Sequence, residues 1–303
     1  MKRLVIATRR SRLALWQAQH IASKLSALHR GLVVDLLPMS TRGDELLDRR
    51  LDDAGGKGLF VKELETAMAQ GRANLAVHSM KDVPADLPDG FRLAAITARE
   101  DPRDAFVSSK YKTLAAMPPG ASVGTSSLRR QAQIAERHPA LLVRLLRGNV
   151  ETRLAKLDRG EYDAAVLAVA GLTRLGLPAR ITAPLAPEDM LPAPGQGALG
   201  IECLADDQEV MKLLMTLADV ATTDCVRAER AVSRALGGSC SLPLGAYAKL
   251  VDDEILLRAL VASADGKRVL RCELSGSARD PEGLGNRVAE DLRRQGADSV
   301  LGR

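Results

Sequence analysis

The chain has 303 residues, more than one hydrophobic core usually organises, so two or three domains are expected. Apolar residues make up 46% of the chain and aromatic residues only 2%, so aliphatic side chains must fill the cores. No apolar run approaches the roughly 18 residues that a membrane span needs. The apolar stretch near Met1 is too short for a signal peptide, and a cytoplasmic protein is therefore expected.

The basic charge of the chain is carried mainly by arginine. The formal charge is +5, and of the 43 basic residues 11 are lysine and 32 are arginine. Arginine forms planar two-point hydrogen bonds to carboxylate or phosphate, which lysine cannot. Nucleic acid is one candidate partner, but no lysine-rich tail is present and few aromatic side chains could stack on bases. A small polyanion is the better match to this composition.

The four cysteines are widely spaced, at Cys203, Cys225, Cys240 and Cys272. None forms a C-x-x-C pair and the four histidines are scattered, which disfavours both a zinc site and a disulfide framework. An isolated cysteine in a reducing compartment is usually a small buried hydrophobic residue. A cysteine with another role must therefore be identified from its neighbours.

Several segments have the pattern of a strand, a polar turn and an amphipathic helix. Leu4–Ala7 predicts a short strand, after which Thr8 and Ser11 can cap a helix. The same pattern recurs at Ser122–Gly124 and at Leu141–Leu146. Strands that alternate with helices indicate α/β units with a largely parallel sheet.

A short internal repeat suggests two similar halves. Residues 70–77 (QGRANLAV) align with residues 159–166 (RGEYDAAV), and each segment is a glycine turn that leads into an apolar strand. The match is short, and a glycine turn between a helix and a strand is common in proteins. A duplicated architecture and a coincidence therefore both remain open.

The second half of the chain contains a crossover, a helix and a small terminal domain. Five prolines between residues 178 and 194 predict an irregular crossover segment. A helix is predicted from Thr222 to Leu236, ended by Gly237 and Gly238. From residue 240 onwards, two-residue alternation predicts a small sheet, with a last helix near residues 284–295.

Three segments combine hydroxyl groups, arginines and a predicted helix start. They are residues 8–12 (TRRSR), 125–130 (TSSLRR) and 147–153 (RGNVETR). The start of a helix offers free amide hydrogens and partial positive charge, so each segment could hold a carboxylate or phosphate. Each alone could equally be an ordinary helix cap with solvated arginines. Their shared position at the ends of apolar strands, where ligands of α/β proteins bind, favours anion sites.

Two further loops could carry function. Residues 55–58 (GGKG) form a glycine-rich loop with Lys57, but the full phosphate-loop pattern is missing. Residues 78–84 (HSMKDVP) follow an apolar strand and place Asp82 beside Lys81. From residue types alone, Asp82 could manage a proton or a cation, or could form an ordinary surface pair with Lys81.

Taken together, these segments resemble the porphobilinogen deaminase family, whose members are also called hydroxymethylbilane synthases. The resemblance rests on IATR (6–9), GGKGLF (55–60), HSMKDVP (78–84), GTSSLRR (124–130), LRGN (146–149) and GQG (195–197). It implies an α/β fold of three domains. The first two resemble the lobes of a type II periplasmic binding protein, and the third is a small α+β domain. The expected domains are residues 1–97 with 198–217, residues 98–197, and residues 218–303.

The family resemblance also implies a reaction and a cofactor. Four porphobilinogen molecules lose ammonia and are joined head to tail, and water releases hydroxymethylbilane. The chain grows on a dipyrromethane that a thioether holds to one cysteine, which falls on Cys240 in the segment GGSCSLPLG (237–245). The family is expected to act as a cytoplasmic monomer without metal, nucleic acid or membrane partners.

The family's functional residues fall on matching positions of this chain. The resemblance places the catalytic carboxylate at Asp82. The residues expected to hold the cofactor, besides Cys240, are Lys81, Ser127, Arg129 and Arg130. Those expected to bind substrate are Arg9, Ser11, Lys57, Arg147, Arg153 and Arg174.

Two positions depart from the family pattern, and two other functions remain to be weighed. Asp53 stands where many relatives have lysine, and Ser239 stands where relatives often have glycine before the cofactor cysteine. A non-catalytic two-lobed anion-binding protein would need neither Cys240 nor Asp82. A nucleic-acid binder would show tight, salt-sensitive retention on DNA or RNA and no reaction with porphobilinogen.

Overall fold

The computed structural model describes residues 3–41, 61–238 and 242–302. The chain divides into two compact units, one of residues 1–100 and 198–223 and the other of residues 101–197 and 224–303. Within the described residues, no helix is long and apolar enough to cross a membrane.

The secondary structure of the described residues alternates between strands and helices. The strands are β1 (Arg3–Arg9), β2 (Val33–Met39), β3 (Leu75–Ser79), β4 (Phe91–Ile96), β5 (Asp104–Val107), β6 (Ser122–Thr125), β7 (Leu142–Leu145), β8 (Ala164–Ala168), β9 (Ala183–Leu185), β10 (Leu199–Leu204), β11 (Leu244–Val251), β12 (Glu254–Ala262) and β13 (Val269–Ser277). The helices are α1 (Arg12–Leu28), α2 (Lys62–Ala69), α3 (Leu128–Arg137), α4 (Val150–Asp158), α5 (Val169–Arg174), α6 (Gln208–Met215), α7 (Val220–Ala235), α8 (Pro281–Arg294) and α9 (Ala297–Val300). Short 3₁₀ turns occupy Met80–Asp82, Leu114–Ala116 and Pro178–Arg180.

The first unit is built on a five-stranded sheet with the strand order β2-β1-β3-β10-β4. β1 is parallel to β2 and β3, whereas β10 is antiparallel to β3 and β4. The hydroxyl of Ser11 caps α1 by accepting a hydrogen bond from the amide of Ala14, as the sequence predicts. Ile21 and Leu25 of α1 are buried against Leu4 and Ile6 of β1, so an apolar stripe of the helix covers the sheet.

The second unit contains a sheet that repeats this plan, in the order β7-β6-β8-β5-β9. β6 is parallel to β7 and β8, and β5 is antiparallel to β8 and β9. The two repeated segments of the sequence lead into β3 and β8, which hold the same third position in their sheets. Gly71 and Gly160 each have positive φ, of 68° and 76°, and begin equivalent turns. The internal repeat therefore reflects a duplicated sheet topology.

The second unit also contains an antiparallel sheet, β11-β12-β13, packed against α7 and α8. Its core includes Cys225, Ala228 and Val232 of α7, as the helical spacing predicts. α7 ends at Ala235, and Gly237 follows with a φ of 66°. The three sheets confirm the expected α/β class with an added small α+β domain.

One expectation about the crossover segment was wrong. The sequence predicts no regular structure between residues 178 and 194, but β9 pairs with β5 at residues 183–185. Pro184 lacks an amide hydrogen, and a strand containing it is tolerated at an edge because only one side needs hydrogen bonds. β9 is the edge strand of its sheet.

Candidate active site

Four predicted site residues in the described part of the first unit lie at one edge of its sheet. β1 and β3 are parallel neighbours, so their carboxyl ends reach the same edge. Arg9 is the last residue of β1 and Ser11 follows it, while Lys81 and Asp82 directly follow β3. The fold thus brings together two pairs of residues that are far apart in the sequence.

The turn that carries Asp82 is anchored from several sides. The side-chain amide of Gln17, on α1, donates to the hydroxyl of Ser79 at 2.8 Å. The amide of Met80 donates to the carbonyl of Ala198 at 3.0 Å, and the Met80 side chain is buried. Asp82 itself is exposed to solvent. A buried residue therefore fixes the turn and leaves the carboxylate accessible.

A glycine on the neighbouring strand makes room for this anchor. A Cβ atom added at Gly200 of β10 would lie 2.9 Å from the sulfur of Met80 and 3.0 Å from Cδ2 of Leu93. Such distances are shorter than van der Waals contact, so a larger residue would displace Met80.

The predicted site residues of the second unit also share a sheet edge. β6, β7 and β8 are parallel, so the loops that follow them leave from the same side. The predicted residues carried by these loops and the helices that follow them are Ser127, Arg129, Arg130, Arg147, Arg153 and Arg174. Carboxyl ends of parallel strands are where α/β folds bind ligands, and here these residues supply five guanidinium groups.

Each of these loops has its own local reason for its shape. Ser127 caps α3 by accepting from the amide of Arg130, and Asn149 caps α4 by accepting from the amide of Thr152. Gly148 has a φ of 114°, and a Cβ there would lie 2.7 Å from Cγ2 of Thr152. Arg153 donates through Nε to the carbonyl of Gly148 at 2.8 Å.

Arg174 connects two parts of the second unit. It is the last residue of α5, and its Nη2 donates to the carbonyl of Gly197 at 2.6 Å. Gly197 belongs to the glycine-rich segment 195–197, so the arginine ties that segment to the helix after β8. The residue is half-buried, as are Arg147 and Arg153.

Arg129 and Arg130 are buried and share one carboxylate, that of Asp104. Arg129 Nη1 lies 2.7 Å from Oδ2 of Asp104, and Arg130 Nη2 lies 2.7 Å from Oδ1. The exposed fractions are 3% for Arg129, 5% for Arg130 and 0% for Asp104. Burial acts to raise the pKa of Asp104, but the two guanidinium groups outweigh it and hold that pKa below its usual range. With Asp104 ionised, the trio carries a net charge of +1.

Further hydrogen bonds complete this buried cluster. Gln196 donates through Nε2 to Asp104 Oδ1 at 3.0 Å and to the carbonyl of Pro102 at 2.6 Å. Arg130 Nη1 donates to the carbonyl of Val166 at 2.8 Å. Arg129 Nε is buried and finds no hydrogen-bond partner in the described part of the chain, and the same is true of Gln196 Oε1.

Sequence reasoning missed Asp104 and the part played by Gln196. Asp104 opens the buried strand β5, so an acidic residue at the head of an apolar run was the signal available. Gln196 lies in a motif that pointed to the family but not to a contact. Arg129 and Arg130 were expected as free anion ligands at a helix start, and the structure shows that each is first held by an internal carboxylate.

Four residues noted in the sequence lie outside the described residues: Cys240, Lys57, Asp53 and Ser239. The other three cysteines, Cys203, Cys225 and Cys272, are buried, as expected. Burial raises the pKa of Cys203 to about 11 and that of Cys272 to about 12, so both remain thiols at neutral pH. No group of side chains that could hold a metal ion is found within the described ranges.

The fold and these two cationic edges define an α/β protein suited to a polyanionic ligand. Comparison with known sequences makes the class specific. A family model described as "Porphobilinogen deaminase, dipyromethane cofactor binding domain" matches residues 4–212, and one described as "Porphobilinogen deaminase, C-terminal domain" matches residues 223–294. The chain belongs to the porphobilinogen deaminase family, as its motifs predict, and carries the family's dipyrromethane cofactor binding domain.

Individual relatives agree with the family models. A curated porphobilinogen deaminase from Bordetella parapertussis is 58% identical over 301 residues, which cover 99% of this chain and 96% of the relative. One from Bordetella bronchiseptica gives the same values. Among solved structures, the methionine binding protein MetQ matches with 15% identity and a TM-score of 0.47, covering 71% of this chain and 89% of MetQ.

Proposed function

We propose that this chain is a transferase that removes ammonia from four porphobilinogen molecules, joins them head to tail and releases hydroxymethylbilane by hydrolysis. The gathering of arginines at the carboxyl edge of β6, β7 and β8 carries the proposal. Porphobilinogen bears an acetate and a propionate, so each added ring brings two carboxylates that need cationic partners. Arginine pairs with carboxylate in a two-point geometry, which also orients the ring.

Cys240 is the residue that holds the dipyrromethane in this proposal, through a thioether. When bound, the cofactor supplies the pyrrole carbon from which the chain is extended. Arg129 and Arg130, with Ser127 and Lys81, hold its carboxylates. The residues present fit such a group, because the Asp104 trio keeps a net positive charge and Arg129 Nε is buried with no hydrogen-bond partner among the described residues.

Asp82 performs the chemistry. When the carbon–nitrogen bond of the protonated aminomethyl group breaks, the nitrogen leaves with the bonding electrons as ammonia and the carbon is left cationic. The exposed carboxylate of Asp82 stabilises this charge. After the ring carbon of the neighbouring unit has bonded to the cationic carbon, that ring must lose a proton, which the same carboxylate accepts.

The other cationic residues bind substrate and the growing chain. Arg9 and Ser11 serve at the end of β1, the strand beside the one that leads to Asp82. Arg147, Arg153 and Arg174 serve at the edge of the second unit, and Lys57 is a further substrate ligand in this proposal. Several cationic groups are needed because the number of carboxylates rises with each ring.

The proposal also covers the domain boundaries, the oligomeric state and the location of the protein in the cell. The three domains are residues 1–97 with 198–217, residues 98–197, and residues 218–303. The two compact units divide the chain near residues 100, 198 and 223. This division supports the proposed boundaries at residues 97/98 and 197/198. We also propose a cytoplasmic monomer that binds neither nucleic acid nor a membrane, to be tested by light scattering and cell fractionation.

The reaction itself provides the test. Purified protein, with its cofactor in place, is incubated with porphobilinogen, and ammonia and hydroxymethylbilane are measured over time. The expected result is about four ammonia molecules for each tetrapyrrole released, since one amine leaves per condensation. Binding of porphobilinogen without release of ammonia would support a non-catalytic anion-binding protein instead.

A further inference from the structure

Three titratable side chains meet beneath the strand end that leads to Asp82. His78 Nε2 lies 2.8 Å from Oε2 of Glu202, and their side chains are 5% and 0% exposed. Burial raises the pKa of Glu65, on α2, and the carboxyl of Glu202 lies close enough to raise that pKa further. The proposed reaction gives none of the three a role, although His78 is only four residues before Asp82.

The register of the sheet explains why these side chains meet. β3 and β10 are antiparallel, with His78 opposite Gly200, so Glu202 lies two residues further along on the same face. Ala76 shares that face and belongs to the apolar cluster under α2. The helix therefore covers the face on which His78 and Glu202 lie, and Glu65 reaches them from above.

Two neighbouring carboxyl groups are most stable when they share one proton. Two carboxylates cannot hydrogen-bond to each other unless one is protonated. Oε1 of Glu202 is buried and accepts from no donor among the described residues. Burial, followed by the charge of Glu202, raises the pKa of Glu65 to about 7. Glu65 is thus the group that carries the shared proton up to neutral pH.

Few other charges face Glu65. The charged and titratable groups that act on it are Glu202 from β10, His78 from β3 and Lys62 from its own helix. β1, which also packs against α2, meets it with Ala7 and the partly buried Val5.

Glu65 lines a solvent-accessible cleft, and the segment that follows Asp82 lines the same cleft. The cleft has a volume of about 560 Å³ and is also lined by Lys62 and Thr66 of α2 and by Pro84, Leu87 and Phe91. Protons can therefore exchange between bulk water and the cluster. The far wall of this cleft is the segment that begins two residues after Asp82.

We propose that Glu202 is a positioning residue for Asp82: it holds His78 through one oxygen and a protonated Glu65 through the other, and so fixes the strand end from which the turn departs. The strand end has two other attachments, from Gln17 to Ser79 and from Met80 to Ala198. Glu202 adds a buried, charged contact to His78, the residue that precedes Ser79 and Met80. This inference rests on the proposed catalytic role of Asp82.

The test separates positioning from cofactor binding. Glu202→Gln removes the charge and keeps the shape, and kcat for porphobilinogen should fall about tenfold, because a small displacement of a catalytic group is costly. KM should change by less than about twofold and the cofactor should remain attached, since the proposed arginine contacts lie elsewhere. Intact mass, circular dichroism and steady-state kinetics supply these readouts.

A second pair of variants keeps the proposal testable if Glu202→Gln does not fold. Glu65 is half-buried, so Glu65→Leu removes the donor without leaving a new charge, and it should lower kcat several-fold at about pH 6.5. Glu65→Gln retains an amide donor and should recover most of that loss. Glu290→Gln, at an exposed position of α8, is the matched control for a lost acidic charge and should behave as wild type.

The outcomes are distinguishable. If the wild type does not release ammonia from porphobilinogen, the proposed function fails. If the wild type is active but Glu202→Gln and Glu65→Leu both keep its kcat, only the positioning role is overturned. Equal losses in Glu65→Leu and Glu65→Gln would overturn the role of the donated proton.

Discussion

Asp104 Oδ1 accepts two hydrogen bonds from Arg130, one from Nη2 at 2.7 Å and one from Nε at 3.1 Å. An arginine expected to hold a ligand carboxylate is therefore itself held by a carboxylate of the chain. The contact fixes the plane of the guanidinium before any ligand arrives, which lowers the ordering cost of binding. It also leaves the arginine pair with one net positive charge rather than two.

Asp104→Asn should be strongly destabilising and should reduce cofactor content. The change leaves two buried guanidinium groups without their counter-charge, and breaking a buried ion pair costs about 3–5 kcal/mol. Urea unfolding at neutral pH measures the free energy of unfolding, and intact mass measures the cofactor. Asp158→Asn, which breaks an exposed pair with Arg180, is the control and should cost less than about 1 kcal/mol.

The effect of Asp104 should depend on pH in a defined direction. Its folded pKa lies below the ordinary value of 3.8, so its stabilising contribution is complete above that value and is lost as the pH falls below it. The gap in unfolding free energy between wild type and Asp104→Asn should therefore be constant above about pH 5 and shrink towards about pH 3. A gap that widened in acid would contradict the assignment of the charge.

Asp82→Asn should lower turnover by about 100-fold or more, because it loses both the charge and the proton acceptor. Asp82→Glu keeps the carboxylate on a longer arm and should retain partial activity. Stability should barely change in either variant, since Asp82 is exposed. Single-turnover addition of porphobilinogen to the holoenzyme, followed by mass spectrometry, measures the rate of ring addition. If Asp82→Asn added rings at the wild-type rate, Asp82 would not be the catalytic carboxylate.

Glu65 should make the protein less stable as the pH rises towards neutrality. Its folded pKa of about 7 exceeds the ordinary 4.5, so the folded state binds the proton more tightly than the unfolded state. Stability contributed by this proton is complete below about pH 4.5, declines up to about pH 7 and is absent above it. Glu65→Gln should therefore raise Tm relative to wild type at about pH 8.5 and leave it nearly unchanged at about pH 5. Equal shifts of Tm at the two pH values would contradict the shared proton.

The sequence predicts those parts of the fold that depend on local chemistry. The cap at Ser11, the end of α7 before Gly237 and the two equivalent glycine turns are each specified within a few residues. The loops at the ends of parallel strands follow from the alternation of strands and helices. Apart from Arg9, which ends β1, each predicted site residue within the described ranges lies in or after such a loop.

The sequence does not predict contacts that the topology creates between distant residues. His78 and Glu202 are 124 positions apart and meet because β10 inserts antiparallel beside β3. Asp104, at the start of β5, contacts Arg130 on α3. No periodicity in either segment indicates that pairing. The strand β9 was missed because Pro184 argues against a strand, although an edge position permits it.

The mass of the intact purified protein tests the central claim most directly. Protein produced in cells that make porphobilinogen should be heavier than its sequence by two linked pyrrole units. Cys240→Ala should abolish the excess, whereas Cys203→Ala, Cys225→Ala and Cys272→Ala, which alter buried thiols, should keep it. An unmodified wild-type mass, or an excess that survives in Cys240→Ala, would contradict a dipyrromethane held on Cys240.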